Sequence, residues 1–287
     1  METSISNNKL GEAINLQQEI YQWGHAQHPT LVFFHGLGST GLAFGELANY
    51  LPAYHIVSFD LPGHGYASAL TEEEAYLPSN VIALIDKMLT QKLGNKKFYL
   101  IGHSLGADLA LHYAATFPKQ IAGLILLDGG YLSSQDMGMT VEMELQNIES
   151  FCNDVRFSSW DEFFQSEKEE LSRWSAELEA ASRAQVKELD GEIRLALSTF
   201  TAQSLIKGLD AEPICHILQH VKCATLLVSA TKPAELEQVR NKSIADFQAK
   251  VSNVQVEPVP NAGHDIFRDA PEQVAEKITA WLAKNNG

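Results

Sequence analysis

The chain is poor in the features that mark several whole classes of protein. It has three cysteines in 287 residues, Cys152, Cys215 and Cys223, an odd number with neither C-x-x-C nor ligand-type spacing. That argues against a disulfide framework and against a zinc site, so no metal is expected. It lacks any apolar stretch near the ~18 residues a membrane span requires. Residues 1–16 lack the basic start and apolar run of a secretory leader. Positive charge is also scarce, with 21 Lys and Arg against 36 Asp and Glu and a formal net charge of -15. Such a surface repels phosphate backbones and anionic lipid, so neither nucleic acid nor a membrane is an expected partner. Internal repeats and low-complexity tracts are missing too. The expectation is a cytoplasmic globular protein, long enough for one large core with an insertion.

What is present is organised around residues 97–117. Phe98–Ile101 is an apolar run suited to a buried strand, and Ala107, Leu109, Ala110, Tyr113, Ala114 and Phe117 follow at helical spacing. Between them lies Gly102-His103-Ser104-Leu105-Gly106, a G-x-S-x-G pattern expected by chance on the order of 0.1 times in such a chain. The strand-turn-helix context gives it meaning. A serine in a strained turn, flanked by glycines because a Cβ there would strike the adjoining strand or helix, is held out at the positive end of a helix. Ser104 is the candidate nucleophile.

Buried strands are expected at 30–34, 55–60, 98–101 and 123–128, separated by helical patterns at 42–51, 78–94 and 107–117. This alternation implies a mainly parallel α/β sheet with right-handed crossovers. Residues 14–23 read as a marginal strand near a sheet edge. From 132 to 212 the alternation stops. Ser159 followed by Glu162 makes a capping box, and 171–183 and 188–205 have helical periodicity. An all-helical cap over residues 132–212, inserted into a core of 1–131 and 213–287, is the expectation. Its aromatics, Trp160 and Phe164 among them, are candidates to line a substrate pocket. Strands at 225–228 and 254–259 and helices at 235–250 and 271–284 complete the core.

A serine hydroxyl needs a general base, and His264 follows the last strand at the sheet edge where ligands collect in open α/β sheets. The glycine-rich His35-Gly36-Leu37-Gly38 turn leaves backbone N–H groups unpaired and unshielded, as an oxyanion pocket requires. His35 and His103 read as structural histidines of the two turns; His103, beside the nucleophile, is also carried as a substrate-contact candidate.

With HGLG (35–38), DLPGHG (60–65), GHSLG (102–106) and NAGH (261–264) in this order, the chain resembles the α/β-hydrolase superfamily, in the subgroup with a helical cap. The resemblance implies a mostly parallel, eight-stranded-type sheet flanked by helices. It also implies a Ser-acid-His triad with the N–H groups of Leu37 and Leu105 as oxyanion donors. In many members the acid follows the strand after the cap, where this chain reads Ser229-Ala230-Thr231-Lys232-Pro233 with no carboxylate before Glu235. Some relatives place it at the tip of the strand before the cap, which is the position of Asp128. Asp128 is therefore the preferred acid, with Glu235 and a carboxylate-free site as alternatives. The expected activity is hydrolysis of a small or medium, fairly apolar carboxylic ester through an acyl-enzyme, with no cofactor. C–C bond hydrolysis, cofactor-free perhydrolysis and a slow-turnover binding or signalling protein are the alternatives.

Overall fold

The computed structural model describes residues 19–171 and 173–285, so residues 14–18 of the expected first strand lie outside it. The first half of the core runs β1 (Ile20–Trp23), β2 (Thr30–Phe34), α1 (Gly45–Asn49), β3 (His55–Phe59), α2 (Pro78–Leu93), β4 (Phe98–His103), α3 (Leu105–Thr116) and β5 (Ile121–Leu127). An insertion follows, made of α4 (Val141–Asp154), β6 (Arg156–Phe157), α5 (Trp160–Glu170), α6 (Ala176–Gln185), β7 (Val186–Leu189), β8 (Glu192–Leu195) and α7 (Thr199–Ala211). The core resumes with β9 (Thr225–Ala230), α8 (Glu237–Lys250), β10 (Val254–Val259), α9 (Ile266–Asp269) and α10 (Pro271–Asn285).

Seven strands form the main sheet in the order β1-β3-β2-β4-β5-β9-β10. Within this sheet, among the described residues, only β1, at the edge, pairs antiparallel. The sheet is covered on both faces, which is why its central strands are continuously apolar rather than alternating. Period-two geometry then sends neighbours to opposite layers. Val32 and Phe34 join a layer with Ile85 of α2, Leu109 of α3 and Phe247 of α8, whereas Leu31 and Phe33 join Leu47 of α1 and Ile278 and Trp281 of α10. Each fully buried side chain of this kind contributes about 1.5–3 kcal/mol. Local chemistry sets the ends of α2: Pro78 stands in its first turn and Gly94, at φ 65°, closes it. Among the described residues no helix is long and apolar enough to cross a membrane.

The mostly parallel sheet expected from the chain is present, with seven strands among the described residues. One architectural expectation needs correcting: the insertion is not all helical. It carries a three-stranded antiparallel sheet, β6-β8-β7, whose β7-β8 hairpin occupies the start of the stretch read as helical from 188. The cause is Asp190-Gly191, both left-handed at φ 53° and 79°, between the paired residues Leu189 and Glu192. Two consecutive positive φ angles make the tight hairpin turn that Asp-Gly favours. Alternating burial of Ile193 and Leu195, packed with Val186 against Phe163, pins the register. Elsewhere the helical expectation holds. Ser159 accepts the Glu162 N–H at 3.2 Å, and the Glu162 carboxylate reaches back to the Ser158 N–H at 2.7 Å.

Candidate active site

The turn that carries Ser104, the candidate nucleophile, is built from backbone crowding. Ser104 sits at φ 51°, ψ -124°, a conformation few side chains tolerate. A Cβ on Gly102 would lie 2.3 Å from Gly106 O, and one on Gly106 would lie 2.3 Å from Phe34 O, so both positions must be glycine. Ser104 therefore leaves β4 and starts α3 with its hydroxyl lifted off the sheet. The N–H groups of the first helical turn have no acceptor inside the helix. Among the described residues no protein acceptor takes the N–H of Leu105 or of Leu37.

His35 orients the Leu37 N–H, the second candidate donor. The Leu61 N–H donates to His35 Nε2 at 2.8 Å, so the ring proton lies on Nδ1, which donates to Gly36 O at 2.8 Å. In a trans peptide the carbonyl and the following N–H point in opposite directions, so tethering Gly36 O turns the Leu37 N–H the other way. Burial holds His35 well below the usual histidine range, at about 4. It is neutral and permanently in that tautomer near neutral pH.

The histidine loop follows β10. Asn261 is left-handed at φ 62°; Ala262 O accepts the N–H of Thr231 at 3.1 Å and of Lys232 at 2.9 Å; and Gly263 N–H donates to Asp269 Oδ2 at 2.6 Å. His264 Nδ1 then meets Asp128 Oδ2 at 2.8 Å. Its side chain is 58% exposed while that of Asp128 is 7% exposed, so the outer ring nitrogen is open to a reactant and the acid is not. Burial alone would raise the Asp128 carboxyl, but the His264 ring, the Ala230 N–H and the Tyr131 hydroxyl outweigh it, and the net shift is downward. For His264 burial favours the neutral ring, yet the bond and charge of Asp128 prevail and its pKa is raised. No hydrogen bond links Ser104 Oγ to His264 among the described residues; such contacts are often long in unliganded enzymes and tighten around substrate.

Other candidates fall differently. Glu235, in a short 3₁₀ turn at Ala234–Leu236, is exposed and makes no bond to His264. His103 is buried, with Nε2 3.1 Å from His264 O and its ring 4.9 Å from Phe267. It supports the histidine loop from below rather than facing a substrate. Trp160 and Phe164 stack on each other at 5.9 Å beneath Arg183, whose guanidinium lies 4.1 Å from the Trp160 ring. They belong to the insertion's own cluster. The insertion aromatic that approaches the oxyanion turn is Phe151 of α4, with Cε1 3.7 Å from where a Gly38 Cβ would be. It is 48% exposed. Its place follows from how α4 lies over the core, which helical periodicity does not encode. Tyr131 was also unforeseen: its hydroxyl donates to Asp128 Oδ1 at 2.9 Å. Asp128-Gly129-Gly130-Tyr131, a carboxylate followed by two glycines and a phenol, was the sequence signal for it.

Comparison with known proteins agrees with this fold. A family model described as the alpha/beta hydrolase fold matches residues 29–271. The chain is 24% identical over 262 residues to the monoacylglycerol lipase ABHD6 of Mus musculus, covering 89% of this chain and 76% of that protein. It is 25% identical over 280 residues to a serine hydrolase-like protein of Danio rerio, covering 91% and 83% respectively. Among solved structures, a thioesterase domain from the curacin biosynthetic pathway superposes with TM-score 0.70 at 22% identity, over 94% of this chain and 97% of its own. E-2-(acetamidomethylene)succinate hydrolase superposes with TM-score 0.72 at 19% identity, over 93% and 96%. With a strained serine between β4 and α3, an imidazole-carboxylate pair beside it and the family model spanning most of its length, this chain belongs to the alpha/beta hydrolase fold family and is a hydrolase.

Proposed function

We propose that the chain hydrolyses a small or medium, fairly apolar carboxylic ester through a covalent acyl-enzyme on Ser104. The observation that carries this reading is the 2.8 Å bond from His264 Nδ1 to Asp128 Oδ2, which leaves the exposed Nε2 of His264 to act as base. His264 Nε2 takes the Ser104 proton as Oγ attacks the ester carbonyl, and the resulting imidazolium is held by Asp128. The oxyanion of the tetrahedral intermediate lies against the N–H groups of Leu37 and Leu105. Collapse breaks the C–O bond, and the departing alkoxide takes the proton from His264. Water, deprotonated by His264, then attacks the acyl carbon and releases the acid and free Ser104.

The insertion, residues 132–212, acts as a cap in this scheme, with Phe151 lining the acyl side. The names of the relatives, a monoacylglycerol lipase and a serine hydrolase-like protein, are consistent with ester chemistry. The test is a panel of p-nitrophenyl esters graded in acyl length, run beside a phosphonate probe. Turnover with one label on the Ser104 peptide, absent in Ser104→Ala, is expected. A folded protein with neither turnover nor label refutes the reading.

A further inference from the structure

The acid of the pair is held by more than its histidine. Asp128 is left-handed at φ 41° and Gly130 at φ 73°, so the chain curls back after β5 and returns the Tyr131 side chain to the carboxylate three residues earlier. A Cβ on Gly129 would lie 2.7 Å from both N and O of Ser104, so the same curl packs directly on the nucleophile's backbone. The Asp128 oxygens are divided between partners. Oδ1 accepts the Tyr131 hydroxyl at 2.9 Å and the Ala230 N–H at 2.9 Å, and Oδ2 alone faces His264.

Behind this stands Arg240, on α8 and 6% exposed. Its Nη1 donates to Pro233 O at 2.8 Å and its Nη2 to Lys232 O. These two carbonyls belong to the turn that leaves β9 just after Ala230, the residue whose N–H is the second donor to Asp128. The same turn gives its Lys232 N–H to Ala262 O in the histidine loop at 2.9 Å. One buried guanidinium therefore fixes a segment that touches the acid on one side and the histidine loop on the other.

We propose that Tyr131 and Arg240 are positioning residues for the reaction: together they lock the Asp128 carboxylate so that one oxygen is committed to His264. Tyr131 does so directly through Oδ1, and Arg240 through the Lys232-Pro233 turn. The proposal rests on the assignment of Ser104, His264 and Asp128 given above. Neither residue touches substrate. The positive charge of Arg240 also bears on the reacting ring, opposing its protonation, and it bears on the Tyr131 hydroxyl. This electrostatic reach gives the proposal a readout that packing alone would not move.

Three full-length variants test it: Tyr131→Phe, which keeps the ring, and Arg240→Met and Arg240→Lys, which keep most of the stem. In Tyr131→Phe, kcat on the best ester falls about tenfold with KM within about twofold, the size of one lost hydrogen bond to a charged group. In Arg240→Met, kcat falls and the acid limb of the kcat/KM profile moves up by about half a pH unit, as expected when a nearby like charge is removed from an imidazole. Arg240→Lys returns the limb to its wild-type position. Unchanged kcat in Tyr131→Phe, or an unmoved limb in Arg240→Met, overturns the proposal. The low-field NMR resonance of the His264 Nδ1 proton gives a second readout that needs no substrate: its titration midpoint should rise in Arg240→Met. A chain that turns over no ester but shows this rise refutes the reaction and keeps the positioning. Turnover with an unmoved midpoint does the reverse.

Discussion

Replacing Asp128 by Asn tests the site most sharply, because the neighbours of the carboxylate dictate which way the amide must face. Oδ1 receives two donors, the Tyr131 hydroxyl and the Ala230 N–H, both at 2.9 Å. An NH₂ group there would oppose two hydrogens, so the amide oxygen takes that place. The NH₂ then occupies the position of Oδ2, 2.8 Å from His264 Nδ1. A donor at that point requires Nδ1 to be an acceptor, which puts the ring proton on Nε2, the atom that must accept from Ser104. The fold survives and the base is blocked. The equivalent change in a serine protease costs roughly 10⁴-fold in kcat, or about 5 kcal/mol of barrier at ~1.36 kcal/mol per tenfold. A loss of 10³- to 10⁴-fold is the expectation here. The assay is kcat/KM on one good ester, with circular dichroism as the folding control and Glu235→Gln as the comparison. Glu235→Gln should stay within about twofold, since an exposed charge at a helix start contributes only about 0.3–1 kcal/mol to stability. Asp128→Asn activity within tenfold of wild type, or a larger loss in Glu235→Gln, refutes the reasoning.

Because only the neutral His264 ring can take the serine proton, and Asp128 raises its pKa above the ordinary 6.5, kcat/KM should rise with pH through a midpoint above that value. A midpoint below it contradicts the pairing. Stability should show the opposite kind of group. His35, His64 and His103 are buried as neutral rings, with pKa values lowered from 6.5 to about 4, 3 and 4. The unfolded chain binds their protons first, so their contribution is complete above pH 6.5 and is lost as pH falls toward 4, by on the order of a few kcal/mol. Denaturant midpoints measured between pH 7 and 4 should fall; flat midpoints refute it. Phe151→Ala should change the preference among acyl lengths severalfold at nearly constant stability. Trp160→Ala should instead cost about 1–3 kcal/mol of stability, less than a fully buried aromatic, with preference unchanged. The reverse pattern would return the pocket to Trp160 and Phe164.

Much of this molecule could be read from the chain alone, and the reasons are physical. β2, β4, β5 and β9 are covered on both faces, so their apolar runs stand out, and Gly102 and Gly106 are demanded by backbone contacts that no other residue survives. His264 was recognisable because its loop follows a strand that ends at the same edge as β4. Other features were hidden. The Asp190-Gly191 hairpin was submerged in a charge-rich stretch whose strands are only four residues each, three of the four exposed in β7, so period two and period 3.6 were hard to separate. Phe151 and Trp160 look alike in sequence. Which one nears Gly38 depends on the placement of α4, a helix that buries no residue completely. Arg240 carries no local sign of its role, since the carbonyls it binds belong to a turn seven and eight residues before it.

The position of the acid before the insertion has a consequence for engineering. Ser104 and Asp128 stand at the tips of adjacent strands, β4 and β5, and the curl between them is sealed by Gly129. The chain then leaves for the whole of 132–212 and returns through β9, where Val228 O accepts the Asp128 N–H at 2.8 Å and the Ala230 N–H donates to the carboxylate. On the proposed assignment, grafting a different segment between β5 and β9 exchanges the proposed cap while both side chains stay on their own strands. Two of the three proposed reacting groups then travel as one cassette, and only the imidazole, arriving from β10, has to be registered anew in each chimera.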